Sequence, residues 1–365
     1  MKMNEEIDVQ KMLTRGKELL KTENYEVAKR IFLQVTEIEP DNYLGWEGAG
    51  VAAEHLGDLE TSERYSLQST KLAPEVSVCW YGLGITYEKM GKNNRAEMMY
   101  LKALSCRPIY PQAKLRLGCL YLNNGKFKKA EKLFRDMVNL DPYCIEAHLK
   151  LGQVLVYQIR YNEGKDCFER VRDISPDRYE GWHGVGIAYT LLEEYETAEL
   201  YFIETLKRKS FARAWNNLGR VYEHLGEWEK AEKAYLECIE FRDSDDALDA
   251  WLSLGRIHYF LGRYEEAENL LRNVVNLYPD CKEAWNDLGL IILKRQGDND
   301  EVERIYRTVL EIDPEFGDGW YNLSVILEMK GATIEANEAY QKAQEVGISD
   351  DNEGSFNPYD SHNMF

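Results

Sequence analysis

Residues 80–108, WYGLGITYEKMGKNNRAEMMYLKALSCRP, show the chain's hydrophobic pattern in its fullest form. Trp80, Leu83, Gly84 and Tyr87 fall at i, i+3, i+4 and i+7, one apolar stripe of an α-helix. Gly91, Lys92 and Asn93 interrupt it as a turn. Ala96, Tyr100 and Ala103 then mark the face of a second helix, which Pro108 stops because proline cannot donate to a continuing helix. The stretch predicts two helices joined by a tight turn.

The same pattern returns along the chain. Glycine recurs at Gly16, Gly50, Gly84, Gly118, Gly152 and Gly186, then at Gly219, Gly255 and Gly289. Tryptophan stands four residues earlier at Trp46, Trp80, Trp182, Trp215, Trp251 and Trp285, and Trp320 precedes Ser324 in the same way. Ala28, Ala96, Ala130 and Ala198 follow the glycine by twelve, each with Phe32, Tyr100, Phe134 or Phe202 four residues later. Pro40, Pro74, Pro108, Pro142 and Pro176 close their repeats. Glycine inside a helix costs about 1 kcal/mol relative to alanine, so its recurrence predicts helices crossing where the side chain is missing. Ala96 is the expected neighbour of Gly84.

This pattern resembles the tetratricopeptide repeat family, whose signature is Trp-x2-Leu-Gly-x2-Tyr, then Ala-x3-Phe, then Pro. Ten repeats are predicted, at 9–42, 43–76, 77–110, 111–144, 145–178, 179–211, 212–247, 248–281, 282–316 and 317–350. Residues 1–8 form an N-terminal segment, and the tail 351–365 is expected to be disordered. The resemblance implies an all-α, right-handed superhelix of helix–turn–helix repeats, an α-solenoid. Departures are local. Repeats six and seven lack the closing proline, Asp243 to Asp246 lengthen repeat seven, and Ser324 replaces the last glycine. The junction at 243–247 is the expected weak point, most simply a longer loop.

Charge and motifs narrow the function. Net charge is −19 and the pI about 4.9, which argues against partners that present phosphates, nucleic acid or anionic lipid. Lysine clusters such as Lys126, Lys128, Lys129 and Lys132 read as solvated faces. Seven cysteines with no CxxC pair read as free thiols of a reducing compartment, so cytoplasm is expected. No metal-binding spacing and no catalytic motif is present, so neither an enzyme nor a cofactor is expected. Gly45 to Gly50 superficially matches a dinucleotide loop but lies inside a predicted helix. His148 and His258 stand at the tryptophan and tyrosine positions and read as core aromatics.

The resemblance implies an inner groove lined by positions 2, 6, 9 and 13 of each repeat, holding an extended or helical segment of a partner protein. Repeat seven places Arg213, Asn217, Arg220 and His224 there, with Asn216 beside them. Arg256 and Tyr259 follow in repeat eight, and Asn286 and Asn322 in repeats nine and ten. Arg116 and Lys150 are the candidates nearer the N-terminus. Asparagine carries a donor and an acceptor, so a row can hold a peptide backbone without reading its sequence. Arginine grips carboxylates bidentately, so the segment is expected to be acidic at repeats seven and eight. Asn217 and Asn322 match the asparagine ladder of the repeat region of O-linked N-acetylglucosamine transferases; Ser253 and Asp287 interrupt it. The carboxylate clamp of heat-shock co-chaperones finds no matching set. The alternative expectation is a self-assembling structural component, associating through the C-terminal end face around Tyr340 or through the tail.

Overall fold

The computed structural model describes residues 8–241 and 244–347, with the side chain of Asp245 left aside. The tail 351–365 and Asp243 lie outside the described residues. Among the described residues all regular structure is α-helical, in two compact bodies that divide between Arg160 and Tyr161. The first body holds α1 (Val9–Lys21), α2 (Tyr25–Ile38), α3 (Tyr43–His55), α4 (Leu59–Leu72), α5 (Ser77–Lys89), α6 (Asn93–Cys106), α7 (Pro111–Asn123), α8 (Phe127–Leu140) and α9 (Ile145–Tyr157). The second begins with α10 (Tyr161–Ile174), α11 (Tyr179–Leu191), α12 (Tyr195–Arg208), α13 (Ala212–His224), α14 (Trp228–Ile239) and α15 (Asp245–Phe260). It ends with α16 (Tyr264–Leu277), α17 (Lys282–Lys294), α18 (Asn299–Ile312), α19 (Gly317–Met329) and α20 (Thr333–Val346). Odd-numbered helices are the first helices of the predicted repeats, and even-numbered ones the second.

Within each body a helix packs on the next, and the recurrent glycine shows how. A Cβ on Gly84 would stand 2.6 Å from the Tyr100 ring. On Gly118 it would stand 2.5 Å from Phe134, and on Gly219 2.6 Å from Tyr235. The notch left by the missing side chain therefore receives the aromatic ring four residues beyond the alanine. This corrects the expectation that Ala96 fills it. These rings are fully buried, as Tyr100, Phe134 and Tyr235 each illustrate.

A second regularity follows from what each ring carries. Tyr100 donates its hydroxyl to Glu88, one turn after Gly84. Tyr235 lies against Glu223, one turn after Gly219. Where the ring is phenylalanine, at Phe32, Phe134 and Phe202, the residue one turn after the glycine is Leu20, Leu122 or Thr190. Tyr306 has no such acid: the residue one turn after Gly289 is Leu293, and the buried Tyr306 hydroxyl, like that of Tyr235, has no hydrogen-bond partner. Removing an orphaned hydroxyl is nearly free, whereas removing a made bond strands its partner. Tyr306→Phe is therefore expected to leave stability unchanged or raise it by up to about 1 kcal/mol, while Tyr100→Phe costs about 1–2 kcal/mol, both read from urea unfolding.

The tryptophans clip repeats together. Trp46, Trp80, Trp182, Trp285 and Trp320 donate Nε1–H to the proline carbonyl six residues earlier, at 2.7–2.8 Å. His148 makes the same bond to Pro142 through Nε2 at 3.0 Å, which its sequence position alone did not announce. After repeat six, which lacks the proline, Trp215 turns to the Ser210 hydroxyl at 2.9 Å.

Several turns also send a basic side chain back to the preceding second helix. Lys92 reaches Glu63 at 3.0 Å, Lys126 reaches Glu97 at 2.9 Å, and Arg160 reaches Glu131 at 2.8 Å. Arg263 and the buried His258 share Glu232 in the second body. Such partly exposed pairs contribute about 0–1 kcal/mol each and mainly fix register. The first helices close on a left-handed residue, glycine at Gly57, Gly91 and Gly125, but Glu23, Ile159 and Glu193 elsewhere.

The lengthened junction is not a plain loop. α15 starts at Asp245, three residues before the predicted repeat boundary, with the Ser244 hydroxyl accepting from the Asp246 N–H. Asp246 is buried, accepts from Arg213 Nε at 3.1 Å, and its carbonyl accepts from the Cys238 thiol. Asp246 at the start of α15 is packed into the second body.

Candidate functional site

The candidate residues lie on first helices, and neighbouring first helices touch through one register. The residue at position 6 of a repeat reaches back to position 5 of the repeat before it. Asn217 on α13 donates Nδ2 to His183 Nε2 on α11 at 3.2 Å. Asn322 on α19 donates to Asn286 Oδ1 on α17 at 2.9 Å. In the first body Arg116 on α7 meets Tyr81 on α5 in the same way.

This register decides where the asparagines go. Asn217 is only 1% exposed and Asn286 6%, so both are spent between helices. Asn216 is also buried, and its Oδ1 has no hydrogen-bond partner. Burial, followed by the Arg213 charge, pushes the His183 imidazole down to about 3, so it is the neutral ring that meets Asn217. Asn322 remains half-buried, with an accessible edge.

The cations are more accessible. Arg116 is exposed and pairs with Glu88 at 3.5 Å, and Lys150 donates to Gln153 on its own helix at 3.3 Å. In the second body Arg213 is taken by Asp246. His224 stacks on Tyr195 at 4.2 Å between centroids, and burial holds its pKa below the ordinary value. Tyr259 lies edge-on to Phe260 and Tyr264. Arg220 and Arg256 are half-buried on α13 and α15, and Arg220 makes no ion pair among the described residues.

Two acids sit among these arginines: Glu223, which sequence reasoning passed over, and Asp287, which it met as an interruption of the asparagine row. Burial pushes the Glu223 carboxyl up to about 7, against the pull of Arg256, Tyr235 and Arg220. Burial also pushes Asp287 up to about 7, opposed by Arg256 and Asn286 and reinforced by Glu283. Arg256 acts on both carboxyls. The glutamate one turn after the glycine, opposite a tyrosine, was the available signal for Glu223. Asp287 offered only its interruption of the asparagine row. The face is thus a mixed one, arginines beside acids poised to protonate near neutrality.

Among the described residues no group of His, Cys, Asp and Glu side chains is placed to hold a metal ion, and no helix is long and apolar enough to cross a membrane. All seven cysteines are free thiols.

Comparison with known proteins agrees with this architecture. Family models described as "Tetratricopeptide repeat" match residues 13–74, 78–110, 111–144 and 210–280. The chain belongs to the tetratricopeptide repeat family, with about ten repeats. A tetratricopeptide repeat protein from Parabacteroides merdae is similar at 14% identity and a TM-score of 0.52, over 65% of this chain and 94% of that one. The C-terminal part of a repeat-containing protein from Cytophaga hutchinsonii is similar at 16% identity and a TM-score of 0.53, over 65% and 98%. YrrB, described as a tetratricopeptide repeat protein with an unusual peptide-binding site, shares 18% identity at a TM-score of 0.44, over 49% and 92%. These likenesses concern the fold. No curated protein matches the chain.

Proposed function

We propose that this protein is a non-enzymatic interaction scaffold that holds a segment of a partner protein along its first helices, and that the segment is acidic where it meets repeats seven and eight. A stack of packed helix pairs offers this family's general role, protein interaction. The observation that carries the acidic preference is Arg220. Most basic side chains of the second body already hold a carboxylate, as Arg213, Arg263 and Arg272 do, whereas Arg220 stands half-exposed with none. Arg256, one repeat on, supplies the second charge, with Tyr259 beside it as an apolar surface. His224 and Asn322 complete the proposed contact, and Arg116 and Lys150 are proposed for the first body.

A chain of net charge −19 repels an acidic peptide at long range, so any affinity must come from a local cationic face. A labelled peptide of alternating glutamate and alanine should bind, and Arg220→Glu should weaken it roughly tenfold or more with the fold intact. Unchanged affinity in that variant would refute the reading. Free thiols support a cytoplasmic setting for such a scaffold.

One observation favours a second reading, self-assembly through the C-terminal end. Ile334 and Tyr340 on α20 are 77% and 42% exposed on the last described helix. Light scattering over a wide concentration range separates the two.

A further inference from the structure

Repeat four departs from its sisters at the start of its second helix. α2, α4, α12 and α16 each carry an acid at their second residue, Glu26, Glu60, Glu196 and Glu265, where the positive end of the helix favours it. α8 carries Lys128 there and Lys129 after it, with no acid in its first turn. That choice works against the helix. The next turn departs as well. Gly57, Gly91 and Gly125 hold the left-handed position of their turns, but repeat five gives it to Ile159, at φ 62°. A β-branched residue is strained in that conformation, and this one leaves its side chain 74% exposed.

Both departures belong to one open groove of about 640 Å³, lined by residues 125–129 and by Gln158, which Ile159 directly follows. Its apolar wall is the Phe127 ring, stacked on the exposed Tyr157 at 5.5 Å between centroids and 12° between planes. Its rim is cationic. Lys126 and Lys129 share the Glu97 carboxylate at 2.9 and 3.7 Å, and Arg135 and Arg160 share Glu131, each at 2.8 Å. Lys128 is exposed and makes no ion pair among the described residues. Four cations thus lean on two carboxylates, and a fifth has none. In a chain of net charge −19 this is a local excess of positive charge. A solvated lysine face accounts for the exposure of these cations, but not for the ring pair beside them or for the strained isoleucine.

We propose that this groove docks an acidic segment of a partner protein that presents one aromatic side chain between carboxylates. The aromatic ring would pack against Phe127, and the flanking carboxylates would meet Lys128 on one side and Lys126 with Lys129 on the other. Charge complementarity sets the sign of the occupant, and the ring pair calls for an apolar group that a free anion lacks. A nucleic acid strand or an anionic membrane would carry its phosphates past the groove and over the acidic remainder of the chain, so a short protein segment fits better. The groove lies in the first body and does not depend on Arg220, so it goes beyond the acidic contact proposed for repeats seven and eight.

The test uses the full chain and a twelve-residue peptide of glutamate and alanine with one central benzoylphenylalanine, a photoreactive aromatic residue. Crosslinks mapped by mass spectrometry should include residues 125–129 and 157–159. Crosslinks confined to repeats seven and eight would overturn the proposal while leaving the Arg220 reading intact. Lys128→Glu should reduce crosslinking at the groove roughly tenfold or more without lowering the Tm, because it restores the acid of the sister helices. Lys71→Glu, the same change of net charge on exposed α4, should leave it within about twofold. Equal losses in the two variants would mean diffuse attraction and would sink the idea. On the unaltered protein, an unlabelled peptide with central phenylalanine should compete at least about fivefold better than one with serine there. Equal competition would remove the aromatic contact, and with it the proposal. So would stronger competition from a twelve-nucleotide oligouridine or from phosphatidylserine vesicles, which would assign the lysines to phosphate.

Discussion

Phe32→Ala is expected to cost about 3–5 kcal/mol, near the top of the range for emptying an aromatic core position. Phe32 is 1% exposed and occupies two notches at once. A Cβ on Gly16 of α1 would lie 2.6 Å from its ring, and one on Gly48 of α3 would lie 2.5 Å from it. The ring therefore joins its own repeat to the next. Leu13, Ala28, Val35, Ala49 and Ala52 complete the small cluster around it. At the two notches themselves Gly16 and Gly48 have no side chain to collapse into the hole, so little of the loss is recovered there. Stability in such a stack sums over repeats and their junctions. The damage should stay local: hydrogen exchange should accelerate across α1 to α3 while α6 to α8 keep their protection. A loss below about 1.5 kcal/mol, the range of a tolerated volume-conserving swap, would mean that the ring is not the wedge described here.

The helix pairs and their order were legible because packing within one helix is written at fixed spacing, and Trp80, Gly84, Tyr87, Ala96 and Tyr100 carry it. The partner in each notch was less so. Ala96 and Tyr100 lie on the same face, and only the lateral offset between helices selects Tyr100 for Gly84. The candidate site suffered most from that missing offset. Asn217 and Asn286 carry the right chemistry on the right stripe, yet the back-reach from position 6 to position 5 buries them. Nothing in a one-dimensional pattern contains the distance between adjacent first helices. Glu223 and Asp287 were obscured for a related reason: in an acidic chain a carboxylate looks alike whether solvated or enclosed. The division at Arg160 and Tyr161 falls inside a repeat of unbroken spacing, where no composition change could mark it.

Asp287→Asn is expected to stabilise the protein at pH 8 while changing it little at pH 4. Burial is the main cause of its raised pKa, about 7 against an ordinary 3.8; Arg256 on α15 and Asn286 offset part of it, and Glu283 on its own helix adds to it. Tyr306 on α18, the other neighbour, is uncharged and keeps its proton. Below about pH 4 the acid is protonated whether the chain is folded or not, and burial carries no ionic cost. Between pH 4 and 7 the unfolded chain releases the proton while the folded one retains it, so stability falls as pH rises, and it levels off above 7. The full difference corresponds to on the order of 4 kcal/mol, and asparagine should recover much of it at pH 8. Glu223 titrates in the same direction, rising to about 7 from 4.5, so the single variant should retain a shallower slope between pH 4 and 7. Adding Glu223→Gln should flatten it further. Urea midpoints at pH 4.5 and 8 measure this directly, with hydrogen exchange in α17 and α18 locating the gain. Equal effects at the two pH values would mean that Asp287 ionises as freely as a surface acid, and the enclosed carboxylate beside Arg256 would have to be given up.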